Sequence, residues 1–341
     1  MKKGMPPRNG ARLTGCLIVV LCLAMTTASS ADSTSPVPID HGVYPLLERL
    51  QTRGWIQGLD DGMRPLSEAR VRALLKQATN QSGLQGIDRQ RAEQFAALLA
   101  PAEDAAGFHR ASLWSATSPM RYGTDQGWLD LDLLARQQTD VLSGRRDGRE
   151  WVLRNRLGAV VRGQIGEGIG FRISFEQTRE EGLDRGYRIR SDVFETRREA
   201  VQLKGGVADY HEATAIVSFD LGDVVDVMAG KGQVMWGPAP DDNLGLSANS
   251  PSYDMVLLRS RLGVLRFEHL VARLRPCPDR PDAPICGDPV DAEATYIVNG
   301  MTRPLERDKY LAAHRLEISP RPWLDIGLQE VVIYGDRGPD G

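Results

Sequence analysis

Two periods organise the hydrophobic positions of this chain. From residue 43 to residue 101 they recur every three to four positions: Val43, Leu46, Leu47 and Leu50, then Val71, Leu74 and Leu75, then Phe95, Leu98 and Leu99 up to Pro101. That spacing lays each set along one side of a helix and predicts three short amphipathic helices. The first ends near Gly54-Trp55, Ser67 is placed to cap the second after Arg64-Pro65-Leu66, and the third follows Asp88. Three such stripes bury one another in a small bundle and read as core.

Past Ser112 the period falls to two. Ile169, Phe171, Ile173 and Phe175 point one way, and Gly170, Arg172, Ser174 and Glu176 the other. Ala213, Ala215, Val217, Phe219 and Leu221 share a face opposed by Glu212, Thr214, Ser218 and Asp220. Leu129, Leu131 and Leu133 oppose Asp130 and Asp132, and Leu153, Leu157, Ala159 and Val161 oppose Arg154, Arg156 and Arg162. Near the end, Tyr310, Ala312, His314, Leu316 and Ile318 oppose Arg315 and Glu317. Turn-rich pieces separate these stretches, among them Ser143 to Gly148, Gly205-Gly206 and Gly335 to Gly338. Roughly ten to twelve strands are expected between Trp114 and Tyr334.

A soluble sandwich also alternates, but its inward face is dry. Charged residues at successive positions of one face suit a wet lumen, and the stretches approach the roughly 9–11 residues that a tilted strand needs to cross a bilayer. The expected fold is therefore mainly β: an antiparallel transmembrane β-barrel with a small N-terminal helical bundle. Trp128, Trp151, Tyr310, Trp323 and Tyr334, near strand ends, are placed for the interfacial girdles. The chain stops at GDRGPDG, with no last amphipathic strand ending in an aromatic residue, so either the chain is a piece of a longer barrel or closure uses fewer strands than expected.

The N-terminus agrees with a crossing of the inner membrane. Lys2, Lys3, Arg8 and Arg12 precede the apolar run Leu13 to Met25, and Ser29 and Ala31 are placed as the small residues before a cut at Asp32. This is the order of a secretory signal peptide. Leu13-Thr14-Gly15-Cys16 has the look of a lipidation box, but the apolar run follows Cys16 where a lipobox needs it before. Removal of the four basic residues takes the net charge further down from −3 and leaves no basic field for nucleic acid. Of four cysteines, Cys277 and Cys286 remain, in RPCPDRPDAPICGDP. In an oxidising compartment two cysteines closing so short a polar loop are expected to form a disulfide. The expected organisation is a signal peptide over 1–31, a linker over 32–38, a periplasmic helical module over 39–108 and a barrel over 109–341.

Particular residues carry a family resemblance. Val43 to Trp55 (VYPLLERLQTRGW) followed by Arg64 to Ser67 resembles the N-terminal helical module of the capsule assembly protein Wzi family. Gly230 to Pro238 (GKGQVMWGP), followed by Leu244 to Asn249 and Pro251, is similar to the same family. So is the stretch from His314 to Glu317 through Glu330 and on to Tyr334-Gly335. The resemblance implies an outer-membrane barrel of about eighteen strands, more than this chain supplies, with a periplasmic helical bundle. It implies a lectin that holds capsular or related exopolysaccharide at the cell surface.

Candidate sugar contacts follow from residue type. Trp236 leaves an alternating strand and enters a turn with Asp241, Asp242 and Asn243; an indole beside carboxylates and an amide suits a sugar ring and its hydroxyls. Tyr187, in the charged stretch Glu176 to Arg198, is a further stacking candidate, although such stretches more often satisfy their own charges. The five histidines, His41, His109, His211, His269 and His314, show no metal-type spacing, and no nucleophile elbow, P-loop or dinucleotide fingerprint occurs. A non-enzyme without cofactor or metal is expected, with polysaccharide and outer-membrane lipid as partners. The competing readings are a porin-like channel and a soluble periplasmic polysaccharide-processing β-protein.

Overall fold

The computed structural model describes residues 34–59, 62–100, 107–110, 118–144, 148–166, 168–182, 200–204, 207–221, 224–237, 243–248, 250–274, 295–298, 301–304, 309–321 and 324–335. The expected signal peptide lies outside the described residues.

Three helices open the chain: α1 (Val43–Thr52), α2 (Glu68–Thr79) and α3 (Gly86–Leu98). Val43, Leu46, Leu47 and Leu50 of α1 meet Val71, Leu74 and Leu75 of α2 in one buried cluster that also takes in Leu99, with Phe95 packed against it. Ser67 caps α2 as its spacing predicts: it is extended, and its side chain accepts a hydrogen bond from the Arg70 amide. α1 stops at Gly54, whose φ of +76° lets its amide bond to Gln51 O while Trp55 N reaches back to Leu50 O. The third helix begins earlier than expected. Asp88 lies inside its first turn, where the helix dipole favours a carboxylate, and is held by Arg49 at 2.6 Å and Arg53 at 2.7 Å from α1. The segment expected as a linker is tied down from Thr34 onward: Val37 N donates to Leu66 O, and Tyr44 Oη donates to Val37 O while accepting from Leu66 N.

Fourteen strands follow among the described residues. They are β1 (Gly107–Arg110), β2 (Met120–Thr124), β3 (Gly127–Gly144), β4 (Gly148–Ile165), β5 (Ile169–Glu181), β6 (Ala200–Lys204) and β7 (Val207–Asp220). The rest are β8 (Val225–Gly232), β9 (Tyr253–Leu262), β10 (Leu265–Leu274), β11 (Thr295–Val298), β12 (Met301–Pro304), β13 (Lys309–Arg321) and β14 (Leu324–Gly335). Eleven of them form one antiparallel path in the order β1-β2-β3-β4-β5-β7-β8-β9-β10-β13-β14, with β6 paired to β7 and β11–β12 a separate hairpin. Among the described residues β1 pairs only with β2 and β14 only with β13, so the path is open. Short turns join β2 to β3, β4 to β5, β7 to β8, β9 to β10 and β13 to β14, all at one end of the strands.

The expected face partners are register neighbours: Phe171 stands opposite Val217, Ile173 opposite Ala215 and Phe175 opposite Ala213. What each face meets is the reverse of an ordinary sheet. Asp130, Glu180 and Glu268 are fully buried and Arg154, Arg162 and Glu317 nearly so, whereas Leu157 is 64% exposed, Ile173 50% and Phe175 48%. Trp128 departs from the expected girdle: it lies buried on the charged face, beside the Arg162 guanidinium. Tyr310 and Tyr334 stack on each other at the other face, and Trp151 is exposed there.

Candidate functional site

The buried, charged face of the sheet is built by strands that each present one arginine to the helical module. Arg162 of β4 donates to Glu68 Oε1 at 2.7 Å, to Leu98 O at 2.7 Å and to Asp130 Oδ2 at 3.1 Å. Arg172 of β5 approaches the same Glu68 carboxylate at 3.9 Å. Arg121 of β2 grips Asp130 with two bonds of 2.9 Å and donates a third to Ala100 O. Cations from the sheet thus meet the Glu68 carboxylate at the start of α2 and the carbonyls at the end of α3, the helix end whose dipole favours a cation. Arg259 of β9 completes the seam, bonding Glu268 with its Nε and Pro65 O with its Nη1.

A second segment lies on the same face. The connection from β8 to β9 places Val234 and Trp236 in a buried cluster with Met228, Met255, Leu257 and Leu270. It also meets the helical module directly. Arg64 and Met235 exchange both backbone hydrogen bonds at 3.0 Å, and Gly237 N donates to Gly62 O. At the N-terminal side, Ser35 Oγ donates to Phe171 O and Ser218 Oγ to Thr34 O. A side chain at Gly170 would put its Cβ 2.4 Å from Ser35 N, so this approach needs glycine.

Beyond the module, toward the strand ends away from the short turns, the same face stays polar. Arg154 pairs with Glu180 at 2.5 Å and Asp140 at 3.0 Å, and Tyr210 Oη donates to Glu180 at 2.7 Å. Arg156 contacts Glu176 at 3.4 Å, and Arg136, directly opposite Arg156 in register, is exposed. Both charge signs and several hydroxyls lie within reach of one another there, an arrangement suited to hydrogen bonding a hydroxyl-rich ligand.

Of the sequence-derived sugar contacts, Trp236 and Asn243 are among the described residues. Trp236 is 1% exposed and its Nε1 donates to the buried Glu268 carboxylate, so its ring is enclosed in the packed face where no sugar can stack on it. Asn243 is half-buried and its amide reaches Gly237 O at 3.4 Å. Tyr187, Asp241, Asp242, Cys277 and Cys286 lie outside the described residues. Glu68, Asp130, Arg121 and Arg259 were not singled out as a seam by sequence; the alternation of charge in β3 and β4 was the available signal. Among the described residues no group of three or more His, Cys, Asp or Glu side chains is arranged to hold a metal. No described helix is long and apolar enough to cross a membrane, which says nothing of crossing by strands.

No protein-family model, curated protein or solved structure matches this chain.

Proposed function

We propose that this chain is part of an outer-membrane β-barrel of the Wzi type, whose helical module plugs the periplasmic end and whose outward end holds exported polysaccharide. The observation that carries the reading is the inverted sheet. A face of exposed Leu157, Ile173, Phe175 and Val217 suits lipid, and a face of buried arginines and carboxylates suits a lumen. Five turns of two to four residues lie at the end where the module docks, as periplasmic turns do in such barrels, and the long β8–β9 connection starts from the other end, where β3–β4 and β6–β7 are also joined by few residues. The module and the β8–β9 connection fill the charged face, which favours a holding role over a steady open channel. The accessible polar side chains Arg136, Arg156 and Glu176 are then the surface offered to polysaccharide from outside, backed by the buried Arg154–Glu180–Tyr210 group, and they replace Trp236 as the candidate contact. Catalysis has no part in this reading.

Carbonate washing of membranes from cells making the full chain tests the location. Retention in the pellet is expected; release into the supernatant overturns the barrel and leaves the soluble periplasmic reading. Purified protein in planar bilayers is expected to show no steady conductance, and to retain capsular polysaccharide in a pull-down that Arg136→Ala/Arg156→Ala weakens severalfold. Steady open conductance would favour the channel instead.

A further inference from the structure

On β10, β13 and β14 a row of ionisable side chains interrupts the exposed apolar face. His269 on β10, His314 on β13 and Glu330 on β14 are direct cross-strand neighbours on that face. The two imidazoles stack with centroids 4.6 Å apart, and His314 Nδ1 lies 3.8 Å from Glu330 Oε2. The rows on either side are apolar: Val271, Ala312 and Val332 on one, Phe267, Leu316 and Leu328 on the other. A lipid tail offers these three groups no hydrogen-bond partner, and ionisable residues at such positions mark contacts with something polar.

We propose that the face of β10, β13 and β14 is the contact between two copies of this chain, with the His269–His314–Glu330 row as its polar lock. The proposal rests on the outer-membrane reading above. A second copy is the occupant that the row itself specifies. In order it presents an imidazole, an imidazole and a carboxylate. A two-fold axis beside His314 reverses that order in the facing copy and brings the partner's Glu330 opposite His269. Each carboxylate then meets an imidazole in a setting without water, where such a bond is strongest. The apolar rows above and below close around it.

The test is photo-cross-linking in carbonate-washed membranes, with p-benzoylphenylalanine in place of Leu328 and, as a control on a distant strand, of Leu157. A product of twice the monomer mass is expected from position 328 and not from 157. The triple variant His269→Leu/His314→Leu/Glu330→Leu should lower that product at least tenfold while the protein stays in the washed membranes. The milder Glu330→Gln should lower it severalfold, and it serves if the triple variant fails to assemble. Lipid adducts alone at position 328, a product of another mass, or an undiminished dimer in the variants overturns the interface. Wild-type protein absent from the washed membranes overturns the barrel reading instead.

Discussion

Leu47, Leu50 and Leu75 of the helical module are buried and its charged side chains lie outside or at its seam, while in the sheet Leu157 and Ile173 are outside and Asp130, Arg162 and Glu268 inside. Both regions alternate apolar with polar residues. The difference lies in what each apolar face meets. A helix stripe buried by other helices needs only water on its far side. A sheet whose apolar face is left open needs a second apolar medium, and its charged face needs partners from the same chain, because an unpaired charge is costly to bury. The module supplies those partners. It buries its own leucine stripes and at the same time neutralises the sheet.

The largest expected effect breaks that neutralisation. Glu68→Ala leaves Arg162 with Asp130, the more distant Asp132 and Leu98 O, and removes the carboxylate that Arg172 approaches. Removing one partner of a buried ion pair costs about 3–5 kcal/mol. The module should come away from the sheet, read as protease cleavage within residues 39–100 that the wild type resists. Glu68→Leu/Arg162→Leu should recover part of the loss, since Asp130 keeps Arg121 and only Arg172 is left without the carboxylate it approaches. Equal damage in the single and double variants would mean that the seam does not depend on this pair.

A smaller effect reads the other face. Ile173→Arg should cost about 2–4 kcal/mol if the residue lies near the bilayer midplane. The same change on a water-exposed strand should stay within about 0.5 kcal/mol. Unfolding by urea in lipid vesicles measures it, and a negligible change would place this face in water.

The faces of the strands were legible in the sequence because period two is local: a side chain at 172 opposes those at 171 and 173 whatever lies beyond. The helix stripes were legible for the same reason, as was Ser67, whose capping bond reaches only three residues on. What stayed hidden spans the chain. Nothing near Arg162 announces Glu68, and the early start of α3 serves an Asp88 pairing with α1. Trp236 looked like an exposed ring at a strand end because local pattern does not tell whether a connection folds outward or back onto the sheet. Its partner Glu268 comes from another strand.

The smallest expected effect is a pH dependence confined to the seam. His41, just before α1, has its pKa lowered to about 4, first by burial and then by the nearby Arg172 and Arg162 cations against a weaker opposing pull from Asp40. Its Nδ1 accepts the Val43 amide at 3.2 Å, and the ring meets Phe95 edge-on. The folded module therefore holds the neutral imidazole, while the unfolded chain takes up a proton below about pH 6.5. With more protons bound in the unfolded state, stability falls as pH drops through the window from about 6.5 to about 4, and no further loss from this group follows below it. Between pH 7 and pH 5 the loss is about 2 kcal/mol. His41→Gln keeps a polar side chain and removes the titration, so the difference between wild type and variant isolates this group from the carboxylates. Hydrogen exchange of α1 and α2 amides at pH 7, 6 and 5, corrected for intrinsic rates, should show protection falling in the wild type and flattening in the variant. Parallel curves would mean that His41 titrates alike in the folded and unfolded states and that burial and the arginines of the sheet do not shift it.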